Sequence, residues 1–247
     1  MMNDVEDFER CAPALLDPLY RDYIWSGTGS QKTLVENKEA YNRIWIKKRV
    51  LRGIVNYTLE ATVLGQKIDL PIGIAPSAGH SVFHQEGERG TARGASSMGA
   101  IMILNSLSLT SLEDIAASVP AGAVKWMQTY IYSKRDLVID IVRRAEKAGY
   151  SALVVTVDEP YEYEIRCNSR SRFFEKEVVH GFPNIRAAVE DIIINSSDTF
   201  DDIAWLVNIT TLPVVVKGIM TAYGVVERYS GITNDKLVDR VESKLTI

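Results

Sequence analysis

Runs of β-branched and apolar residues recur along the chain at 70–76, 100–104, 124–130, 152–157 and 213–216. They are continuous rather than alternating, which predicts strands covered on both faces, as in a parallel sheet. Helical patterns fill the gaps. Residues 86–98 are rich in small side chains, 111–118 opens with the capping residue Ser111, and 134–148 spaces Leu137, Ile141, Val142 and Ala145 before Gly149. A further helix is expected over 201–207.

The resulting order β-α-β-α-β-α-β, with no antiparallel hairpin signature between strands, predicts an α/β fold rather than a sandwich or a bundle. An open doubly wound sheet and a (β/α)₈ barrel both satisfy it. After Val157 the rhythm breaks at 158–182, a long charged and aromatic stretch of the kind barrels insert at the C-terminal face of their strands. Upstream lie a helix expected around 18–24, a turn at 26–30 and the basic stretch 47–52, a prefix suited to capping a barrel. Downstream, Asn234 can cap a short helix whose Leu237, Val238, Val241 and Leu245 form one apolar stripe. The pattern divides the chain into a cap segment (1–60), a barrel segment (61–222) and a tail (223–247).

Composition adds mainly exclusions. The 247 residues are 46% hydrophobic and 24% charged, with a formal net charge of -4, which gives no electrostatic reason to expect a nucleic-acid partner. The first residues are acidic and lack a secretory pattern, and no apolar run approaches the ~18–20 residues of a membrane span, so an intracellular protein that does not enter the membrane is expected. Cys11 and Cys167 stand far apart, which argues against a disulfide framework or a structural zinc site. His80 and His84 are four residues apart but follow a strand as a loop, and the expectation is no metal site.

In βα folds the C-terminal ends of the strands face the active site. Here the strands close with Pro76-Ser77-Ala78-Gly79, Asn105-Ser106, Gln128-Thr129-Tyr130, Thr156-Val157-Asp158 and Lys217-Gly218. Small residues admit a planar ligand to the backbone. Amide and hydroxyl groups match the carbonyls and ring nitrogens of a flavin, and Lys217 offers a cation for its reduced, anionic form.

The ordered motifs that carry a family resemblance are Asp22-Tyr23-Ile24-Trp25-Ser26-Gly27, Pro71-Ile72-Gly73-Ile74-Ala75-Pro76-Ser77-Ala78, His84-Gln85-Glu86-Gly87-Glu88, Gln128-Thr129-Tyr130, Thr156-Val157-Asp158 and Leu212-Pro213-Val214-Val215-Val216-Lys217-Gly218. Together they resemble the FMN-dependent 2-hydroxy-acid oxidases and dehydrogenases of the glycolate oxidase type. The resemblance implies a (β/α)₈ barrel of the TIM type, here incomplete with about five βα units and an N-terminal helical cap. It implies FMN as cofactor and oxidation of a small (S)-2-hydroxy acid to a 2-oxo acid with oxygen as acceptor. Pro76, Ser77, Ala78, Asn105, Gln128, Thr156 and Lys217 are implied as flavin contacts, and Tyr23 and Tyr130 as phenols that bind the substrate, Tyr130 with a catalytic role.

Several positions depart from the family pattern. Asn105 stands where the family usually has Ser, Leu107 where it has Trp, and Tyr163-Glu164-Ile165 where it has Gly-Arg-Arg, with Arg166 one residue displaced from the carboxylate-binding arginine. The His-Gly-x-Arg segment that carries the family's base, and its later Asp-Gly-Gly and Gly-Arg phosphate motifs, do not occur in this sequence. His180 is the histidine left to consider as a replacement base. The alternative expectation is therefore a truncated isoform or fragment without turnover, its sheet edges unpaired and its stability marginal. Family members are often oligomers, which implies a homo-oligomer if the fold is completed. Ser243-Lys244-Leu245 is followed by Thr246-Ile247, so a cytoplasmic location is expected, with the peroxisome as the family-level alternative.

Overall fold

The computed structural model describes residues 3–159, 181–187, 192, 194, 195 and 197–220. The insertion around Tyr163, Arg166, Cys167 and His180 and the helix expected from Asn234 lie outside these residues. Two compact units are present, one containing residues 3–53 and the other residues 54–159 with the described residues from 181 on.

The first unit is helical. Asp4 caps α1 (Val5–Cys11) by accepting from the Asp7 N–H at 2.8 Å, and Asp17 caps α2 (Pro18–Trp25) by accepting from Leu19 N–H at 2.8 Å. Pro18 opens α2, where its missing N–H costs no helical bond. α3 (Lys32–Glu39) follows, and Tyr23 lies on α2.

The second unit begins with an element the pattern reading did not contain. β1 (Ala61–Val63) and β2 (Gln66–Ile68) pair antiparallel, Ala61 opposite Ile68, around Leu64 and Gly65 at φ 51° and 76°. Two positive φ angles define the turn that matches strand twist in a two-residue hairpin. Leucine in the first of those places concealed a signal that Asn or Asp would have announced.

β3 (Gly73–Ile74), β4 (Ile101–Leu104), β5 (Lys125–Thr129), β6 (Leu153–Thr156) and β7 (Val214–Lys217) form one parallel sheet in strictly sequential order. α4 (Gly87–Ser97), α5 (Leu112–Ser118), α6 (Arg135–Lys147) and α7 (Phe200–Asn208) lie between the strands. Ser111 Oγ caps α5 by accepting from Asp114 N–H at 3.1 Å, and Thr199 with Asp202 forms a capping box on α7. A doubly wound sheet reverses strand order and carries helices on both faces. This one does neither: it is a curled, partial (β/α)₈ barrel of five strands.

Side-chain alternation separates two cores. Met102, Leu104, Met127, Leu153, Val155 and Val214 point toward the helices and pack with Val138, Ile141, Val142 and Ala145 of α6, all fully buried. Each such side chain contributes about 1.5–3 kcal/mol by leaving water. The alternate positions Ile101, Trp126, Val154 and Val215 face the inside of the curl and pack with Ile68, Ala61, Val63 and Leu64 of the hairpin. Gln66 ties the two together, accepting from Trp126 Nε1 at 3.1 Å and donating to the Ser151 carbonyl at 3.0 Å. The hairpin thus closes the N-terminal end of the concave face.

Candidate active site

The same alternation decides what stands at the other end. Gln128 is two residues beyond Trp126, Thr156 two beyond Val154 and Lys217 two beyond Val215, so all three share the concave face at the C-terminal ends of β5, β6 and β7. Register brings them side by side: Thr156 pairs with Lys217, and Gln128 with Val154.

Gln128 is fully buried and its amide is held at both ends. Its Oε1 accepts from Ser106 N–H at 3.1 Å and its Nε2 donates to Thr156 Oγ1 at 3.0 Å. Ser106 Oγ in turn lies 2.9 Å from the Tyr132 hydroxyl. Lys217 Nζ donates to Asp158 at 3.2 Å, both side chains remaining partly exposed. Gly218 beside it has φ +116°, and a Cβ there would lie 2.5 Å from the Cβ of Asp158. Only glycine tolerates both that backbone and that approach.

Tyr130 follows the end of β5. Its hydroxyl donates to Glu159 Oε2 at 3.2 Å, and its ring meets Tyr132 edge-on with centroids 6.1 Å apart. Burial, then the nearby Glu159 carboxylate, holds the Tyr130 phenol well above the ordinary tyrosine range, so it remains a protonated donor. At β4, Asn105 turns inward on its own loop, its Oδ1 accepting from Leu107 N–H at 2.7 Å. After β3, Pro76 is half-buried, Ser77 and Ala78 are exposed, and Gly79 turns the chain at φ 72°.

The expected residues therefore separate into groups. Gln128, Thr156 and Lys217 share adjacent strand ends, Asn105 and Tyr130 follow the ends of β4 and β5, and Pro76, Ser77 and Ala78 follow β3. Tyr23 belongs to the first unit. Tyr132 and Glu159 were not among the candidate contacts, and Ser106 was read only as a hydroxyl closing its strand. Tyr132 had a readable signal, since it lies two residues past Tyr130, but only the tertiary structure shows what its hydroxyl touches.

The histidines after β3 serve local structure. The fully buried Glu88 accepts from His80 N–H at 3.1 Å and Thr110 Oγ1 at 2.7 Å, while His80 Nδ1 lies 3.0 Å from Thr91 Oγ1. His84 Nδ1 accepts from Glu86 N–H at 3.1 Å. Among the described residues no group of His, Cys, Asp or Glu is arranged to hold a metal ion. No helix among them is long and apolar enough to cross a membrane.

Comparison with known proteins extends the geometry. Residues 12–228 match the family model described as FMN-dependent dehydrogenase. Glycolate oxidase of Spinacia oleracea is 36% identical over 235 residues, covering 90% of this chain and 63% of that protein. A peroxisomal (S)-2-hydroxyacid oxidase of Arabidopsis thaliana is 35% identical, covering 88% and 62%. The flavin-binding domain of baker's yeast flavocytochrome b2 superposes with a TM-score of 0.80 at 28% identity, covering 93% of this chain and 56% of that one. The chain thus spans somewhat under two thirds of the length of these relatives.

Proposed function

Since this chain belongs to the FMN-dependent dehydrogenase family, we propose that it holds FMN at the C-terminal ends of its five strands and acts on a small 2-hydroxy acid, yielding the 2-oxo acid with oxygen as acceptor. The observation that carries this reading is the adjacency of Gln128, Thr156 and Lys217 on one concave face, with the small residues Pro76, Ser77 and Ala78 after the first strand of the same sheet.

The donor set fits the cofactor. An amide, a hydroxyl and an ammonium match ring carbonyls and nitrogens, and the small, exposed residues Ser77 and Ala78 leave room for a flat ring. FMN, when bound, supplies the two-electron acceptor that protein side chains lack. Lys217 would supply a positive charge to a bound flavin, and Asp158 orients its ammonium by accepting at 3.2 Å. Asn105 lies at the end of the neighbouring strand. Tyr130, kept neutral by burial, offers its O–H to a substrate carboxylate or to the oxygen on the reacting carbon. Tyr23 is assigned the companion phenol role by resemblance alone. No residue of this chain is assigned as base at the α-carbon.

The test is direct. Purified protein is denatured to release its flavin, FMN is quantified, and peroxide is followed with glycolate, lactate and mandelate. Stoichiometric FMN with hydroxy-acid-dependent peroxide supports the whole reading. Flavin without peroxide reduces it to a flavin-binding protein without turnover, and absence of flavin binding in excess FMN overturns it. A fluorescent fusion decides between the cytoplasmic location expected from the sequence and the peroxisomal one that the name of the Arabidopsis relative suggests.

A further inference from the structure

The hydrogen bonds around Gln128 have a direction that can be worked out from one fixed donor. A backbone N–H can only donate, so the Ser106 N–H contact at 3.1 Å identifies the Gln128 atom facing it as the carbonyl Oε1. The amide Nε2 is then the atom facing Thr156, and Thr156 Oγ1 must accept from it at 3.0 Å.

Tyr132 sets the other end. Its side chain is fully buried and burial raises its phenol well above the ordinary range, so it carries its proton at all ordinary pH. Among the described residues its hydroxyl has one partner, Ser106 Oγ at 2.9 Å. A buried phenol left without an acceptor is costly, so Tyr132 donates to Ser106. Ser106 then directs its own proton to Gln128 Oε1, 3.4 Å away. Both lone pairs of that carbonyl are thereby used, one by the Ser106 N–H and one by its O–H.

We propose that Ser106 and Tyr132 are positioning residues whose hydrogen bonds lock the Gln128 amide, so that Gln128 meets a bound ligand with an N–H and not with its carbonyl, and Thr156, already accepting from Gln128, has its O–H free to donate. The inference rests on the proposed FMN site. With Lys217 on the next strand, the ends of β5, β6 and β7 become a row of donors. The ligand edge that such a row selects is one of carbonyl oxygens and unprotonated ring nitrogen. Neither Ser106 nor Tyr132 is needed as a direct contact for this effect; both act through Gln128.

The chain is prepared as wild type, Tyr132→Phe, Ser106→Ala and Ser106→Thr, with far-UV circular dichroism as a check on folding. FMN and 2-thio-FMN, whose sulfur is a poor acceptor, are titrated by quenching of flavin fluorescence, and the absorbance bands of the bound flavins are recorded. Wild type is expected to prefer FMN over the thio analogue. Tyr132→Phe and Ser106→Ala are expected to lose about fivefold in FMN affinity, the scale of one hydrogen bond, to shift the flavin band and to lose the preference, while Ser106→Thr restores all three. Should Tyr132→Phe fail to fold, the Ser106 pair carries the same comparison. Variants that bind FMN with wild-type affinity, band position and analogue preference overturn the positioning role while leaving the FMN site standing. Wild type that binds neither flavin overturns the FMN site, and this inference with it.

Discussion

Tyr130 and Glu159 meet at the ends of β5 and β6, the phenol donating to the carboxylate at 3.2 Å. The contact occupies the proton that Tyr130 is proposed to offer a substrate, and it adds a negative charge where an anionic 2-hydroxy acid is to bind. Glu159→Gln keeps an acceptor for the phenol and removes the charge. Affinity for oxalate, a small dicarboxylate probe, is expected to rise about three- to tenfold by isothermal titration calorimetry, the scale of one screened charge pair. Unchanged or weaker oxalate binding counts against the proposed position of the substrate carboxylate.

Gly218 allows Lys217 and Asp158 to meet. In Gly218→Ala the new Cβ would lie 2.5 Å from the Asp158 Cβ and 2.9 Å from its backbone nitrogen, at a φ of +116°. Displacement of Asp158 and backbone strain together are expected to cost roughly 1–3 kcal/mol. A denaturant midpoint within error of wild type, with FMN affinity also unchanged, would falsify this account of the β7 end.

Three buried phenols predict a stability limit at high pH. Tyr130, Tyr132 and Tyr150 are all held well above their ordinary value of 10.0, chiefly by burial, and Tyr150 donates to the Leu112 carbonyl at 2.9 Å. Below pH 10 both folded and unfolded chains keep these protons, and the groups contribute no pH dependence. Above it the unfolded chain ionises first, so the folded state loses up to about 1.4 kcal/mol per phenol for each further pH unit. Urea midpoints measured from pH 8 to 11 are expected to fall beyond pH 10, less steeply in Tyr150→Phe once allowance is made for its lower starting stability. A flat profile contradicts the burial of these hydroxyls.

Asp198 predicts a second fall in stability with rising pH, in the acid range. It borders an apolar cavity of about 240 Å³ lined by Val157, Phe200, Ile203 and Val216, and burial raises its carboxyl from 3.8 to about 6 despite the hydrogen bond from Asn195. Between those values the unfolded chain has lost the proton and the folded chain retains it, so the ionised group disfavours folding most fully above pH 6. Asp198→Asn, which can still accept from Asn195, is expected to raise the melting temperature at pH 7.5 and to lose most of that advantage by pH 4.5. An equal effect at both pH values shows that the carboxyl is not perturbed.

The strands and crossover helices were legible because their causes are local. Five continuous apolar runs became β3 to β7, and the stripe of Leu137, Ile141, Val142 and Ala145 became α6 with Gly149 past its end. The hairpin of β1 and β2 was not legible, since Leu64 took a positive φ that its type seldom adopts. The choice between barrel and doubly wound sheet was also open, because a local pattern does not state strand order.

The residue types at each strand end were set by the sequence, but continuous apolar runs do not say which face each residue takes, and that Gln128, Thr156 and Lys217 share one came from pairing and register. Tertiary structure alone decided which of them are neighbours and which atoms they offer. Register set Thr156 beside Lys217. Ser106, 22 positions away in the chain, turned the Gln128 carbonyl aside and left its N–H forward. Direction in a hydrogen bond depends on what stands opposite, and for a buried amide that partner comes from another strand, at a distance in sequence no local pattern records.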